Sequence, residues 1–119
     1  MKNYSEYTYN QLFDALLGSK DAYGWLLEND YKELAALISG LKGNNGALQW
    51  LLMNHTTFHH FLQSIHHYDT KSLQWLLSNE KSLAAAVGSS VGHNDSLKWL
   101  EENHYPLLAE LSLVIRNNY

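Results

Sequence analysis

The segment KSLQWLLSN (residues 71–79) belongs to a pattern that occurs four times in the chain. The other copies read DAYGWLLEN (21–29), GALQWLLMN (46–54) and DSLKWLEEN (95–103). Their tryptophans, Trp25, Trp50, Trp75 and Trp99, are separated by 25, 25 and 24 residues. A fixed period of this length is typical of repeat proteins, in which each short unit buries its apolar face against the next. The pattern therefore predicts an all-α fold, an α-solenoid (α-α superhelix).

The first half of each period has the spacing of an amphipathic helix. A small residue lies three positions before each Trp, an apolar one two positions before, and Leu directly after it. With Trp, these positions form a helical stripe roughly 100° wide, which a neighbouring helix can cover. We expect the four Trp side chains to be buried in one continuous row. The predicted helix starts, capped by side-chain oxygens, are Asp21, Asn45, Thr70 and Asn94, and the predicted left-handed residues at the helix ends are Asn29, Asn54, Asn79 and Asn103.

The second half of each period predicts a second helix, antiparallel to the first. Its apolar residues recur at helical spacing, for example Leu34, Leu37 and Leu41. Pro106 falls on the first turn of the last such helix, where its missing N–H costs nothing, and Gly43 and Gly92 end two others. The same period places a lone second helix in the first 18 residues. We expect one domain over 1–119, with a half-repeat (1–18), repeats 19–43, 44–68, 69–93 and 94–119, about 4.5 repeats and nine helices.

The composition excludes several classes of partner and chemistry. The 119 residues include 12 acidic and 8 basic ones, for a net charge of −4. Binding to duplex nucleic acid or to an anionic membrane needs a positive field, so we expect neither. The chain has no Cys, which excludes disulfides and thiolate chemistry. The first twenty residues lack the apolar core of a signal peptide, and no long apolar run follows, so we expect a cytoplasmic protein.

The segment SLAAAVGSSVGHNDSLKWLEEN (82–103) resembles the helical part of an ankyrin repeat. In that family, a short helix carrying L-x-A-A ends near Gly-His and precedes a helix of the form V-V-K-L-L-L-E. Residues 33–54 match in the same way. The family's T-P-L-H opening is absent, and the period is shorter than the ankyrin repeat of 33 residues by about the length of its β-hairpin finger. The resemblance implies ankyrin-like helical repeats without fingers, and a protein-binding scaffold rather than an enzyme.

The histidines raise the alternative of a metal or catalytic site. Five of the seven lie in the second repeat: His55, His59, His60, His66 and His67. Their spacing argues against a shared ion, because His59 and His66 are two helical turns apart, roughly 10 Å. No Gly-rich phosphate loop and no Ser-centred catalytic motif accompanies them. We expect no metal, no cofactor and no catalytic residue.

The second helices supply the residues that we expect to contact a partner. Phe61 is a large ring at a position that holds Ala36, Ala86 and Glu110 in the other repeats. On the ankyrin-like interpretation it marks the concave face of the stack. The other residues assigned to this face are Ala35, His60, Ser64, His67, Ala85 and Ser89.

Three functions of different classes remain open. The leading hypothesis is a scaffold or adaptor that binds another protein of unknown identity through the concave face, with no catalysis. The second is a His-dependent metal-binding or catalytic protein, and the third is a purely structural module that self-associates. Leu113 lies about 160° around its helix from Leu111, opposite the buried row. The helices at 95–103 and 106–116 are therefore expected to form a weak homodimer.

Overall fold

The computed structural model describes residues 4–119, and this range contains nine α-helices and no β-strand. Turns of one to three residues join them. The all-α helix-turn-helix fold and the nine helices are therefore confirmed over the described residues. The helices are α1 (Glu6–Leu16), α2 (Lys20–Glu28), α3 (Lys32–Leu41), α4 (Asn45–Asn54), α5 (Thr56–His67), α6 (Thr70–Asn79), α7 (Lys81–Ser90), α8 (Asn94–Glu102) and α9 (Pro106–Asn118).

The chain forms two compact units, one ending at His59 and the other beginning at His60. In the first unit, the predicted half-repeat helix α1 packs against α2 and α3, and α3 packs against α4. In the second unit, α7 packs against α6, α8 and α9 and is therefore its central helix. None of the helices in residues 4–119 is long and apolar enough to cross a bilayer.

The leucine that follows each Trp is the centre of the packing. Leu26, Leu51, Leu76 and Leu100 are each 0% exposed. The four Trp side chains are only half-buried, so the predicted row of buried Trp is wrong. Successive helical residues point about 100° apart. The Leu therefore occupies the middle of each helix contact, and the larger indole lies on its flank with one edge in solvent.

Stacked rings hold three of these indoles on their flanks. The ring of Trp25 stacks on Tyr31 at a centroid distance of 5.8 Å, and that of Trp99 stacks on Tyr105 at 6.0 Å. Trp75 stacks on the imidazole of His60, with ring centroids 4.5 Å apart. Such pairs contribute about 0.5–1.5 kcal/mol beyond the area that they bury. The Trp side chains thus link neighbouring elements without belonging to the innermost core.

The Asn at the end of each first helix caps it with its side chain. The amide Nδ2 donates to the backbone carbonyl of the Trp four residues earlier, at 2.8–2.9 Å in all four repeats. The predicted left-handed conformation is wrong, because Asn29 and Asn103 have φ of −100° and −99° and the other two lie within helices. The left-handed conformation belongs to the next residue in two repeats, Asp30 and His104.

The helix starts lie one or two residues earlier than predicted. Ser19, Asn44 and Asp69 are the N-caps of α2, α4 and α6, and their side-chain oxygens accept from backbone N–H groups two or three residues ahead. His93 precedes α8 without such a bond. At the other ends, Gly43 and Gly92 follow the predicted pattern, with φ of 92° and 102° just after α3 and α7.

A buried polar cluster joins α7 to α9 and to the start of α8. The Ser112 hydroxyl donates to Ser89 Oγ at 2.7 Å, and Arg116 Nε donates to the Ser89 carbonyl at 2.8 Å. Arg116 also donates through Nη1 to Asn94 Oδ1 at 3.2 Å. Ser89 and Ser112 are 0% exposed. A buried hydroxyl needs a partner, so these bonds fix how α9 sits on α7.

Adjacent leucines on α6 provide a test of the core assignment. Leu76→Ala removes a side chain that is 0% exposed, and we expect it to lower the free energy of unfolding by about 2–5 kcal/mol. Leu77→Ala, next along the chain at 54% exposed, should cost about 0.5 kcal/mol or less. Urea denaturation followed by circular dichroism measures both. Equal losses in the two variants would contradict the packing described here.

Candidate functional site

A groove of about 530 Å³ lies on the second unit, between α6, α7 and α8. We call it the α6–α8 groove. Its volume is that of a site for a small ligand or for a few large side chains of a partner. The apolar residues that line it are Tyr68, Leu73, Leu77, Ala84, Ala85, Val87, Val91 and Trp99, and the remaining ones are Ser64, Asp69, Lys81, Gly88, His93, Asp95 and Ser96.

Three apolar side chains at the groove are open to solvent. Tyr68 is 75% exposed, Leu77 54% and Val91 38%. Val91 is the residue that directly follows α7 and serves as its C-cap. Exposed apolar side chains that line one groove indicate a contact site more strongly than scattered ones do.

Tyr68 occupies a backbone conformation that disfavours its side chain. Its φ is 50°, in the left-handed region. Gly18 and Gly43 hold the equivalent places, 50 and 25 residues earlier, and both have positive φ. A non-glycine residue in this conformation costs roughly 1–2 kcal/mol, and such strain is concentrated at functional sites. The groove thus displays a large aromatic ring at a turn where glycine would be more stable.

The floor of the groove depends on a close approach of α7 and α8. A Cβ built on Gly88 would lie 2.9 Å from the Cβ of Ser96 and would also collide with its hydroxyl. Only glycine at this position therefore lets α8 approach α7 so closely. Further along the two helices, the Lys81 ammonium lies 5.6 Å from the centroid of the Trp99 ring. These two contacts fix α8 against α7 at both ends of the groove.

The residues predicted to contact a partner are mostly inaccessible. Ala35, Phe61, Ser64 and Ser89 are 0–4% exposed, so little of their side chains is accessible to a partner. The ring of Phe61 fills space between helices, and the Ser89 hydroxyl accepts from Ser112. Ala35 belongs to the first unit. Ser64 and Ala85 do line the α6–α8 groove, as a buried wall and a half-buried one, and His67 is exposed outside it.

His60, also assigned to the partner-binding face, is half-buried. Its Nδ1 lies 3.0 Å from Ser72 Oγ and its ring stacks on Trp75. It therefore acts as a packing residue between α5 and α6. Across residues 4–119, no three His, Cys, Asp or Glu side chains converge in a way that could hold a metal ion.

The signals that sequence analysis missed were present in the chain. Tyr68 interrupts a turn position that is Gly in the two preceding repeats. Leu77 shares its place with Leu27 and Leu52, two residues after Trp, and all three are exposed. Their repeat position therefore does not distinguish Leu77 from the other two, although Leu77 is the one of the three that lines the groove.

The environment of His66 predicts a pH-dependent stability for the second unit. Partial burial lowers the pKa of the His66 imidazole, and the neighbouring His67 lowers it further. Since the folded pKa lies below the unfolded value of about 6.5, the unfolded chain binds a proton more readily as the pH falls. Stability that is present above about pH 6.5 is therefore lost on acidification.

We expect wild-type protein to have a lower urea midpoint at about pH 5.5 than at about pH 7.5, and His66→Gln to show a smaller difference between the two. His93→Gln, at an exposed position, is the matched control and should keep the wild-type difference. If His66→Gln loses as much stability on acidification as wild type does, His66 is not responsible for the effect.

No protein-family model matches this chain. Searches of curated proteins and of solved structures found no match either.

Proposed function

We propose that this protein is a binding scaffold without catalysis of its own, and that its α6–α8 groove holds an apolar segment of a partner protein. The observation that carries the proposal is Tyr68, an exposed aromatic ring kept in a left-handed conformation at a groove that exposed Leu77 and Val91 also line. Tyr is enriched among the side chains that dominate binding energy. Backbone strain is concentrated at functional sites, and a contact of Tyr68 with a partner would account for it.

The apolar character of the groove supports a protein partner over a small polar ligand. Leu73, Leu77 and Val91 line it together with the half-buried face of Trp99. A partner's apolar side chains would remove these surfaces from water, at about 25 cal/mol per Å² of apolar area. The relation to ankyrin-type repeats and the cytoplasmic location are parts of the same proposal, and neither nucleic acid nor membrane is included among the partners.

The groove partner can be captured by a photo-reactive residue placed at Leu77 in the producing cell. The matched control is the same residue at Leu52, which occupies the equivalent repeat position and is also exposed but does not line the groove. We expect one protein to be cross-linked from position 77 and not from position 52. Equal adducts from both positions, or none from position 77, would contradict the proposal.

Tyr68→Gly separates binding from stability. The change relieves a strained backbone but adds a flexible residue, so we expect the free energy of unfolding to stay the same or rise by up to about 1 kcal/mol. Affinity for the cross-linked partner should fall at least tenfold, about 1.4 kcal/mol, because an aromatic anchor is lost. Titration calorimetry and urea denaturation measure the two effects. A variant that is stable and binds as wild type does would exclude Tyr68 from the site.

We also propose a weak homodimer through α8 and α9. Leu113 is half-buried within its own chain, so part of its side chain remains for a second copy to cover. We expect the sedimentation coefficient of wild type to rise with protein concentration, and we expect Leu113→Glu to abolish that rise. Asn117→Asp, which adds the same charge at an exposed position on α9, should keep it. Wild type that sediments as a monomer at all concentrations would end this part of the proposal.

A further inference from the structure

The α6–α8 groove has an acidic end and a basic end. Lys81 and Trp99 meet at one place, and Gly88 and Ser96 at another. Residue numbers therefore increase along α7, from Lys81 to Gly88, in the direction in which they decrease along α8, from Trp99 to Ser96. The two helices are antiparallel. Glu80 alone joins α6 to α7, which places the C-terminal end of α6 beside Lys81.

This topology places the acidic side chains and the lysine that line the groove at opposite ends of it. Asp69 caps the start of α6 and Asp95 lies in the first turn of α8. Both starts lie at the end of the groove where α7 finishes, together with Tyr68, Val91 and His93. Lys81 begins α7 at the opposite end, beside Leu77 and Trp99. Among the described residues, the carboxylates that line the groove are thus at one end and the ammonium at the other.

The walls of the groove also restrict the backbone of the occupant. They are helices, whose interior N–H and C=O groups already bond within each helix. The described residues contain no strand to whose edge an extended segment could pair. An extended occupant would bury backbone groups that lack partners, at a cost in free energy. A helical occupant satisfies its own backbone and presents only side chains, as in other helix-in-groove complexes.

We infer that the occupant of the α6–α8 groove is a short amphipathic helix of another protein, with an acidic residue at the end that meets Lys81 and a basic residue at the end that meets Asp69 and Asp95. This inference rests on the proposed function. The α7 wall has 10 residues and is therefore about 15 Å long, so it accommodates about three turns. Apolar residues on one face of those turns contact Leu73, Leu77 and Val91.

Three synthetic helical peptides of about ten residues test the inference. They share one leucine face and differ only in their terminal residues: one end acidic and the other basic, both ends acidic, or both ends basic. We expect wild-type protein at about pH 8 and low salt to bind the peptide with opposite ends about three- to tenfold more tightly than either of the others. The preference should shrink as salt is added, because exposed charges are screened.

Charge reversal at Lys81 gives the decisive comparison. Lys81→Glu makes both ends of the groove acidic, so its preferred peptide should become the one with two basic ends. Lys71→Glu is the matched control, since it makes the same charge change at an exposed position on α6 that does not line the groove, and it should keep the wild-type order. Asp95→Lys and Asp21→Lys form a second pair, at equivalent positions four residues before Trp. Asp95→Lys should weaken the wild-type preference, and Asp21→Lys should not.

The outcomes separate the two proposals. If wild type binds all three peptides equally, or if Lys81→Glu keeps the wild-type order, the end-to-end polarity is wrong while the groove still binds an apolar helix. If none of the three peptides binds, the groove does not accept an apolar helix, and the proposed function fails with the inference.

Discussion

Four leucines that are completely buried, Leu26, Leu51, Leu76 and Leu100, determine where the rest of each repeat lies. Once such a residue occupies the middle of a helix contact, the helical rotation of about 100° per residue fixes its neighbours. The preceding Trp is placed on one flank, where in three of the four repeats it stacks on an aromatic or imidazole ring. The following residue is turned outward. The exposed Leu77 and the half-exposed ring of Trp99 are therefore consequences of core packing, and they supply apolar surface to the α6–α8 groove.

The positions of the helices could be predicted from the sequence because the spacing of apolar residues indicates them directly. The fixed spacing of Trp, the apolar residues of the second helices and turn residues such as Gly43 and Pro106 predicted nine helices. Burial was harder to predict, since a stripe of apolar residues shows which side of a helix is covered but not which residue lies at its centre. Trp was predicted to lie in the buried row because four solvent-facing indoles would be costly. A compact Leu fits closely approaching helices better than an indole does, and the indole retains a polar N–H that suits a flank.

The candidate site could not be derived in the same way. Phe61 was predicted to lie on a surface because its equivalents are small or polar, yet a large residue at a usually small position can also fill space left by its neighbours. It does so here at 1% exposed. Tyr68 was the more informative exception, because a turn glycine cannot be replaced without cost. Groove-lining pairs such as Gly88 and Ser96 depend on the distance between two helices, and a pattern of residues along the sequence does not give that distance.

The side-chain cap on each first helix has a consequence for how this chain can change in length. The bond from Asn to the Trp carbonyl joins residues four apart, so each repeat carries the signal that ends its own first helix. A duplication or loss of one whole period would recreate the same cap at the new junction. The number of repeats in such an array can therefore change by recombination between copies. Substitutions in one repeat can then alter a single surface, such as the one around Tyr68, without affecting the caps.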